Sequence, residues 1–196
     1  VTHRGPYSDS YSNEYSGVVI IPSTVTNNSN TYRVTSIGEE AFYKCTELTS
    51  VIIGDNVTSI GNYAFHRCSS LESIVIPNNI KSIGKSAFKE TGIYNNESNW
   101  ENGSLYTSDC LVEAEKISGA YTIKEGTKLI ADYVFTDCTG LTSITIPSSL
   151  TNIGKGVFED CSSLTSVVWN AKKCEDPSSQ SFYDVRSQIT SFTLGD

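Results

Sequence analysis

Apolar and polar residues recur along the chain in one fixed order. The consensus reads V-T-S-I-G-x-x-A-F-x-x-C-x-x-L-x-S-I-x-I-P-x-x and has a period of 23 residues. Its phased copies begin at Val34, Val57, Ile80, Thr127 and Leu150. Partial copies flank them, VVIIP over 18–22 and ITSFTL over 189–194. A repeat of this length predicts a solenoid, because one coil buries its apolar side only against its neighbours.

The L-x-S-I-x-I segment alternates at period two, which predicts one strand in each coil. In Leu71–Ile76 the leucine and isoleucines should face inward, and Glu72, Ser73 and Val75 outward. The same strand of successive coils should pair in parallel, about 4.8 Å apart. The T-S-I-G segment is β-prone and predicts a second short strand on the opposite side of the coil. The A-F-x-x-C segment predicts a short helical turn whose alanine and phenylalanine enter the core.

The repeat is irregular over about residues 91–121. Leu105–Ala114 contains two strand-like runs around a turn at Thr107–Asp109, which predicts an inserted β-hairpin. The polar run over 95–103 predicts a loop leading into it. The domain prediction is therefore a flexible segment over 1–14 and one repeat domain over 15–196, with the array truncated at its C-terminus.

Four of the six cysteines occupy one repeat position: Cys45, Cys68, Cys138 and Cys161. Zinc ligands converge on a point, whereas these residues should lie along a line, one in each coil. Stacked equivalents also have parallel Cβ vectors, which suit a disulfide torsion poorly. We favour buried thiols that pack as small apolar groups. A Cys45–Cys68 or Cys138–Cys161 disulfide stays open, as does a bond between Cys110 and Cys174 or a reactive thiol there.

The repeat residues resemble the BspA-like (Treponema-type) leucine-rich repeats, over nearly the whole chain. That family carries the I-G-x-x-A-F-x-x-C-x-x-L-x-S-I-x-I-P pattern found here. The resemblance implies a mainly β, right-handed leucine-rich-repeat coil with a parallel sheet on its concave side and short turns on its convex side. It also implies a surface or secreted protein of host-associated anaerobic bacteria or protozoan parasites. Several such proteins are implicated in adhesion, and the family shares no catalytic residues.

Charge and candidate chemistry exclude several functions. The 22 acidic against 14 basic residues give a net charge of -8, which argues against a nucleic-acid surface. No run of about 18 apolar residues suits a membrane span. His66 occupies a chemically variable position and should be a surface residue, so no base is held for a nucleophile. The glycine after the repeat isoleucine (Gly38, Gly61, Gly84, Gly154) should be a turn residue with positive φ. We therefore predict no enzyme activity, no metal and no cofactor.

Function should then depend on two candidate ligand surfaces. One is the outward face of the sheet, and the other is the set of aromatic residues where the repeat breaks. The residues are Ser50, Ile52, Glu72, Ser73, Val75, Ser143, Thr145, Ser166 and Val168 on the sheet, and Tyr94, Trp100 and Tyr106 in the insertion. The recurrent serine also has a structural interpretation, as a small residue that the packing of the sheet requires. The aromatic residues have one too, as a cover for the edge of the hairpin. The predicted function is a non-enzymatic extracellular binding or adhesion module for a protein or glycan on a host or microbial surface. The alternative is a structural spacer within a larger surface protein.

Overall fold

The computed structural model of the chain describes residues 15–174 and 180–195. The predicted N-terminal segment 1–14 lies outside these residues. The chain divides into two compact units, Val1–Asn99 and Trp100–Asp196, and each is described by itself. Both are built from short strands joined by turns, as a mainly β solenoid requires.

Over its described residues, 15–99, the first unit contains eight strands and two short helical segments. They are β1 Gly17–Ile21, β2 Thr24–Asn27, β3 Asn30–Arg33, β4 Ser36–Ile37, β5 Leu48–Ile53, β6 Ser59–Ile60, β7 Ser73–Val75, β8 Ser82–Ile83, helix α1 Gly92–Asn95 and a 3-10 turn Glu97–Asn99. β1, β5 and β7 pair in parallel on one side of the coils, and β4, β6 and β8 pair in parallel in a second sheet. Both predicted ladders are therefore present, and the register follows the repeat, since Ser50 lies opposite Ser73.

The described residues of the second unit, 100–174 and 180–195, contain nine strands. They are β9 Trp100–Glu101, β10 Ser104–Thr107, β11 Cys110–Ala114, β12 Ser118–Thr122, β13 Leu129–Ile130, β14 Gly140–Ile146, β15 Asn152–Ile153, β16 Ser166–Trp169 and β17 Ser191–Leu194. β12, β14, β16 and β17 form a parallel ladder. The predicted hairpin is confirmed as the antiparallel pair β10 and β11, which joins the sheet of β13 and β15.

The repeat phenylalanines form a stack through the core of each unit. Phe65 lies between Phe42 and Phe88, with ring centroids 5.0 and 5.6 Å away and nearly parallel planes. Phe135 and Phe158 stack in the same way at 5.7 Å in the second unit. These rings are fully or almost fully buried, so each coil covers the ring of the coil before it. The ring stacks and the strand ladders together hold the outward side chains in fixed rows.

The repeat glycines are not the positive-φ residues that the sequence predicts. None of Gly38, Gly61, Gly84 and Gly154 has a positive φ. A Cβ on Gly61 would instead lie 2.5 Å from the backbone nitrogen of Glu39 in the preceding coil. At Gly84 the corresponding distance, to the Asn62 nitrogen, is also 2.5 Å. Glycine is required here because two backbones approach closely, and not because of the local conformation.

The A-F-x-x-C segment is a series of turns in every coil, and not the predicted helical turn. Left-handed backbone angles recur at two positions in each of the five phased copies. One repeat position holds Glu40, Tyr63, Ser86, Tyr133 and Gly156, and the other holds Lys44, Arg67, Glu90, Asp137 and Asp160. Such angles do not continue an α-helix, since that conformation is confined to single residues. They reverse the chain within a few residues, which is why 23 residues suffice for a complete coil.

Candidate functional site

Apolar side chains form a row on the outward face of β1, β5 and β7. Ile20 lies opposite Ile52, and Ile52 lies opposite Val75. Their exposed fractions are 67%, 40% and 53%. Val51 and Ile53 on β5 are buried, so the outward position of Ile52 follows from the alternation of the strand. We call Ile20, Ile52 and Val75 the apolar row.

The surroundings of the apolar row are small, polar and acidic. Ser50 and Ser73, which are opposite each other, form the neighbouring column together with exposed Val18. Glu72 immediately precedes β7, and Asp55 lies just beyond the end of β5; both are exposed. The face therefore combines exposed aliphatic groups with carboxylates at its two ends.

The corresponding face of the second unit has a different character. Thr145 lies opposite Thr122 and Val168, and Val168 lies opposite Thr193. Ser143 and Ser166 are also paired in register and half-buried, so the predicted serine columns are real in both units. Three of the four residues in this row are threonines, whereas all three residues of the apolar row are aliphatic.

The aromatic residues of the insertion are half-buried and do not project freely. Tyr94 is in α1, whereas Trp100 lies opposite buried Leu105 in the β9–β10 pair. The Tyr106 hydroxyl accepts a hydrogen bond from the backbone N–H of Lys124 at 3.5 Å, and burial raises the pKa of Tyr106. The Lys124 Nζ lies 5.7 Å from the centre of the same ring. The loop predicted over 95–103 was wrong in part, since it contains the 3-10 turn and β9.

A second hairpin, formed by β2 and β3, was not predicted. It is inserted in the turn of the first coil, and all eight of its residues are exposed. Val25 lies opposite Tyr32, and their exposed fractions are 47% and 53%. The sequence does carry a signal for it, because Thr, Val and Tyr alternate around the Asn-Asn-Ser-Asn turn of 27–30.

His66 is packed between tyrosines, and its predicted surface position was wrong. Its ring stacks on Tyr43 at 5.6 Å and meets Tyr63 edge-on at 5.7 Å. Burial lowers the pKa of His66, and the charge of Glu90, whose Oε1 lies 3.7 Å from Nε2, opposes that shift. The imidazole is part of an aromatic cluster at the turns.

The cysteine column is a packing feature. Cys68 Sγ donates to the carbonyl oxygen of Phe42 at 2.9 Å, and Cys161 Sγ donates to that of Phe135 at 3.1 Å. In each case the thiol bonds to the preceding coil. No disulfide bond links any of the six cysteines, which all lie in the described part of the chain, and five are buried while Cys174 is half-buried. Burial raises the pKa of Cys68, Cys110 and Cys161 to about 12, so these thiols stay protonated and unreactive at neutral pH.

The described residues show neither a metal-ligand cluster nor a membrane-spanning helix. Across residues 15–174 and 180–195, no three His, Cys, Asp or Glu side chains lie close enough together to hold a metal ion. In the same part of the chain, no helix has the length and apolar character to cross a membrane.

Coils of this length, a parallel ladder and a buried phenylalanine at each step define a leucine-rich repeat protein. The model of the BspA type leucine-rich repeat region matches residues 20–117 and 113–196, in six copies. The match covers most of the chain, which therefore belongs to the BspA-type leucine-rich repeat family.

Solved structures of bacterial leucine-rich repeat proteins are similar to the chain. A leucine-rich repeat protein of T. pallidum is 22% identical, with 90% of this chain and 68% of that chain covered and a TM-score of 0.42. A leucine-rich cell surface protein of Faecalibacterium prausnitzii is 25% identical, with 81% and 48% covered and a TM-score of 0.41. The chain thus spans about half the length of the latter protein. A search of curated proteins finds no significant match.

Proposed function

We propose that the chain is a non-enzymatic protein-binding module of a bacterial cell surface protein and acts in adhesion. The apolar row carries this proposal. Aliphatic side chains that stay 40–67% exposed in adjacent strands are costly to leave in water, and contiguous exposed apolar groups mark interaction sites. Membership of a leucine-rich repeat family, whose coils are scaffolds for outward side chains, supports the same function.

A protein ligand fits this face better than a glycan does. Aliphatic groups bury area without directed hydrogen bonds, which suits a complementary apolar protein surface. Glu72 and Asp55 at the ends of the strands favour a partner with cationic groups around its apolar centre. We propose the serine columns and the threonine-bearing face of the second unit as lesser parts of the ligand surface. The insertion residues Trp100 and Tyr106 are the competing location.

The proposal is tested by probing an array with the purified chain. The array holds extracellular matrix proteins, microbial surface proteins and glycans. The decisive variant is Ile52→Ser combined with Val75→Ser, and the matched control is Thr145→Ser combined with Val168→Ser. We expect saturable binding to a protein that the first variant loses, whereas the control, which alters only the lesser part of the surface, should lower the affinity slightly. Loss only in Trp100→Ala with Tyr106→Ala would place the site in the insertion. Absence of any binding would favour the spacer function instead.

A further inference from the structure

The β2–β3 hairpin has an open edge without the usual protection. Among residues 15–174 and 180–195, β2 and β3 pair only with each other. Natural sheets protect exposed edges with charges, prolines or bulges. β2 reads Thr-Val-Thr-Asn, with no charge and no proline, and its pairing with β3 has no register shift. Its partner strand β3 at least carries Arg33.

The register identifies which backbone groups of β2 face outward. The hairpin closes through Asn28 and Ser29, with φ of 48° and 65°, as in a two-residue type I′ turn. Hydrogen-bonded and non-hydrogen-bonded pairs alternate from that turn, so Asn27–Asn30 and Val25–Tyr32 are the bonded pairs. The bond from the Val34 N–H to the Ser23 carbonyl, at 2.9 Å, continues the same alternation. The N–H and C=O groups of Thr24 and Thr26 therefore point away from β3.

We propose that the outer edge of β2 binds an extended segment of a partner protein by β-strand addition. Main-chain hydrogen bonds to Thr24 and Thr26 would hold the segment, and side chains on the Val25 face would select it. A β-branched or aromatic residue suits the position beside Val25, because such cross-strand pairs stabilise a sheet. A third strand also stabilises the hairpin itself, since an isolated two-stranded hairpin is marginal in water.

A partner segment fits this edge better than a second copy of the chain does. Two copies would meet only through the same four-residue strand, and each carries a net charge of -8. A stable interface between folded proteins buries about 1,000 Å² or more, which two such short strands do not provide. An extended segment is not limited to the four residues of β2, because it can continue past both ends of that strand. The proposal does not depend on the apolar row being the main ligand site.

Selection from a phage-displayed library of random linear peptides on the intact chain tests the proposal. Thr26→Pro is the decisive variant, because it removes one outward N–H and leaves the bonded pairs of the hairpin in place. Thr31→Pro is the matched control, since it alters the outer edge of β3 in the same way. We expect enriched peptides of alternating character whose affinity falls roughly tenfold with Thr26→Pro, as for about one lost hydrogen bond, and holds with Thr31→Pro.

Amide hydrogen exchange gives an independent readout. The Thr26 amide should exchange fast in the free protein and slow on peptide binding, whereas the Val25 amide, already bonded to β3, should change little. Selection that yields no peptide would overturn the proposal, as would peptides that bind Thr26→Pro unimpaired. Peptides that Ile52→Ser abolishes would show docking on the sheet face instead. Concentration-dependent dimerisation that Thr26→Pro removes would assign the edge to a second copy.

Discussion

Replacing the repeat glycines by alanine should have opposite effects in neighbouring coils. At Gly61 the added Cβ would lie 2.5 Å from the Glu39 nitrogen and 2.7 Å from the Gly38 carbonyl carbon. Non-bonded atoms of this kind prefer about 3.5–4.0 Å, so the two backbones must separate by roughly an ångström. Both nearby groups are backbone, and they cannot rotate away as a side chain would. At Gly38, by contrast, a Cβ meets no described atom within 4 Å, and φ is not positive.

The magnitude follows from the contacts. Overpacking of this kind costs about 1–3 kcal/mol. Separation of the coils also weakens the 2.9 Å hydrogen bond from the Gly61 N–H to the Ile37 carbonyl, at about 1 kcal/mol. Alanine offsets part of this loss, because it restricts the unfolded chain and so raises the free energy of unfolding by about 0.4–1 kcal/mol. Gly61→Ala should therefore lower the free energy of unfolding by about 2 kcal/mol, whereas Gly38→Ala should raise it by about 0.4–1 kcal/mol.

Urea unfolding followed by circular dichroism measures both variants against the parent chain. Gly84→Ala offers a repetition of the first result, since its Cβ would lie 2.5 Å from the Asn62 nitrogen. Equal effects at Gly38 and Gly61 would refute the close-approach explanation. A neutral Gly61→Ala would mean that the coils separate at little cost.

Three other predictions concern the core and its thiols. Phe65→Ala should lower the free energy of unfolding by about 3–5 kcal/mol and Cys68→Ala by clearly less; equal losses would mean that the thiol is bonded or liganded. In the native protein a thiol reagent at pH 8 should modify Cys174 quickly and the five buried cysteines only after unfolding, and any second fast thiol would contradict the burial seen here. NMR should find a His66 pKa below 6.5 in the folded chain. Because the unfolded chain then binds more protons near that pH, His66 should contribute stability above pH 6.5 that declines as the pH falls; a His66→Phe variant with an unchanged pH profile would contradict this.

The strand ladders were predictable because the repeat carries its own register. Once the copies are aligned, Ser50 opposite Ser73 and Ser143 opposite Ser166 follow from equal spacing, and the alternation within each strand fixes which side chains face outward. The inserted hairpin over Leu105–Ala114 was predictable for a local reason, a turn between two short β-prone runs. The outward sheet residues were thus found from the sequence, although their role as a ligand surface stays a prediction.

Other features depend on contacts between neighbouring coils, which the sequence of one coil does not reveal. Glycine is needed at position 61 because the backbone of the preceding coil lies close to it. Interpreting Gly61 as a local turn residue therefore gave the wrong cause. His66 occupies a variable position, and its burial arises from Tyr43 one coil away. The β2–β3 hairpin interrupts the first, partial copy, where comparison between repeats gives no register.

The two left-handed repeat positions show which sequence changes such a coil can accept. One of them holds Lys44, Arg67, Glu90, Asp137 and Asp160, so the position tolerates either sign of charge as long as the backbone angle is kept. Each non-glycine residue there costs roughly 1–2 kcal/mol of strain, which glycine relieves and asparagine reduces. Substituting glycine at these left-handed turn positions should therefore stabilise the protein. Changes between lysine, arginine and the acids there redraw the surface charge and leave the scaffold intact.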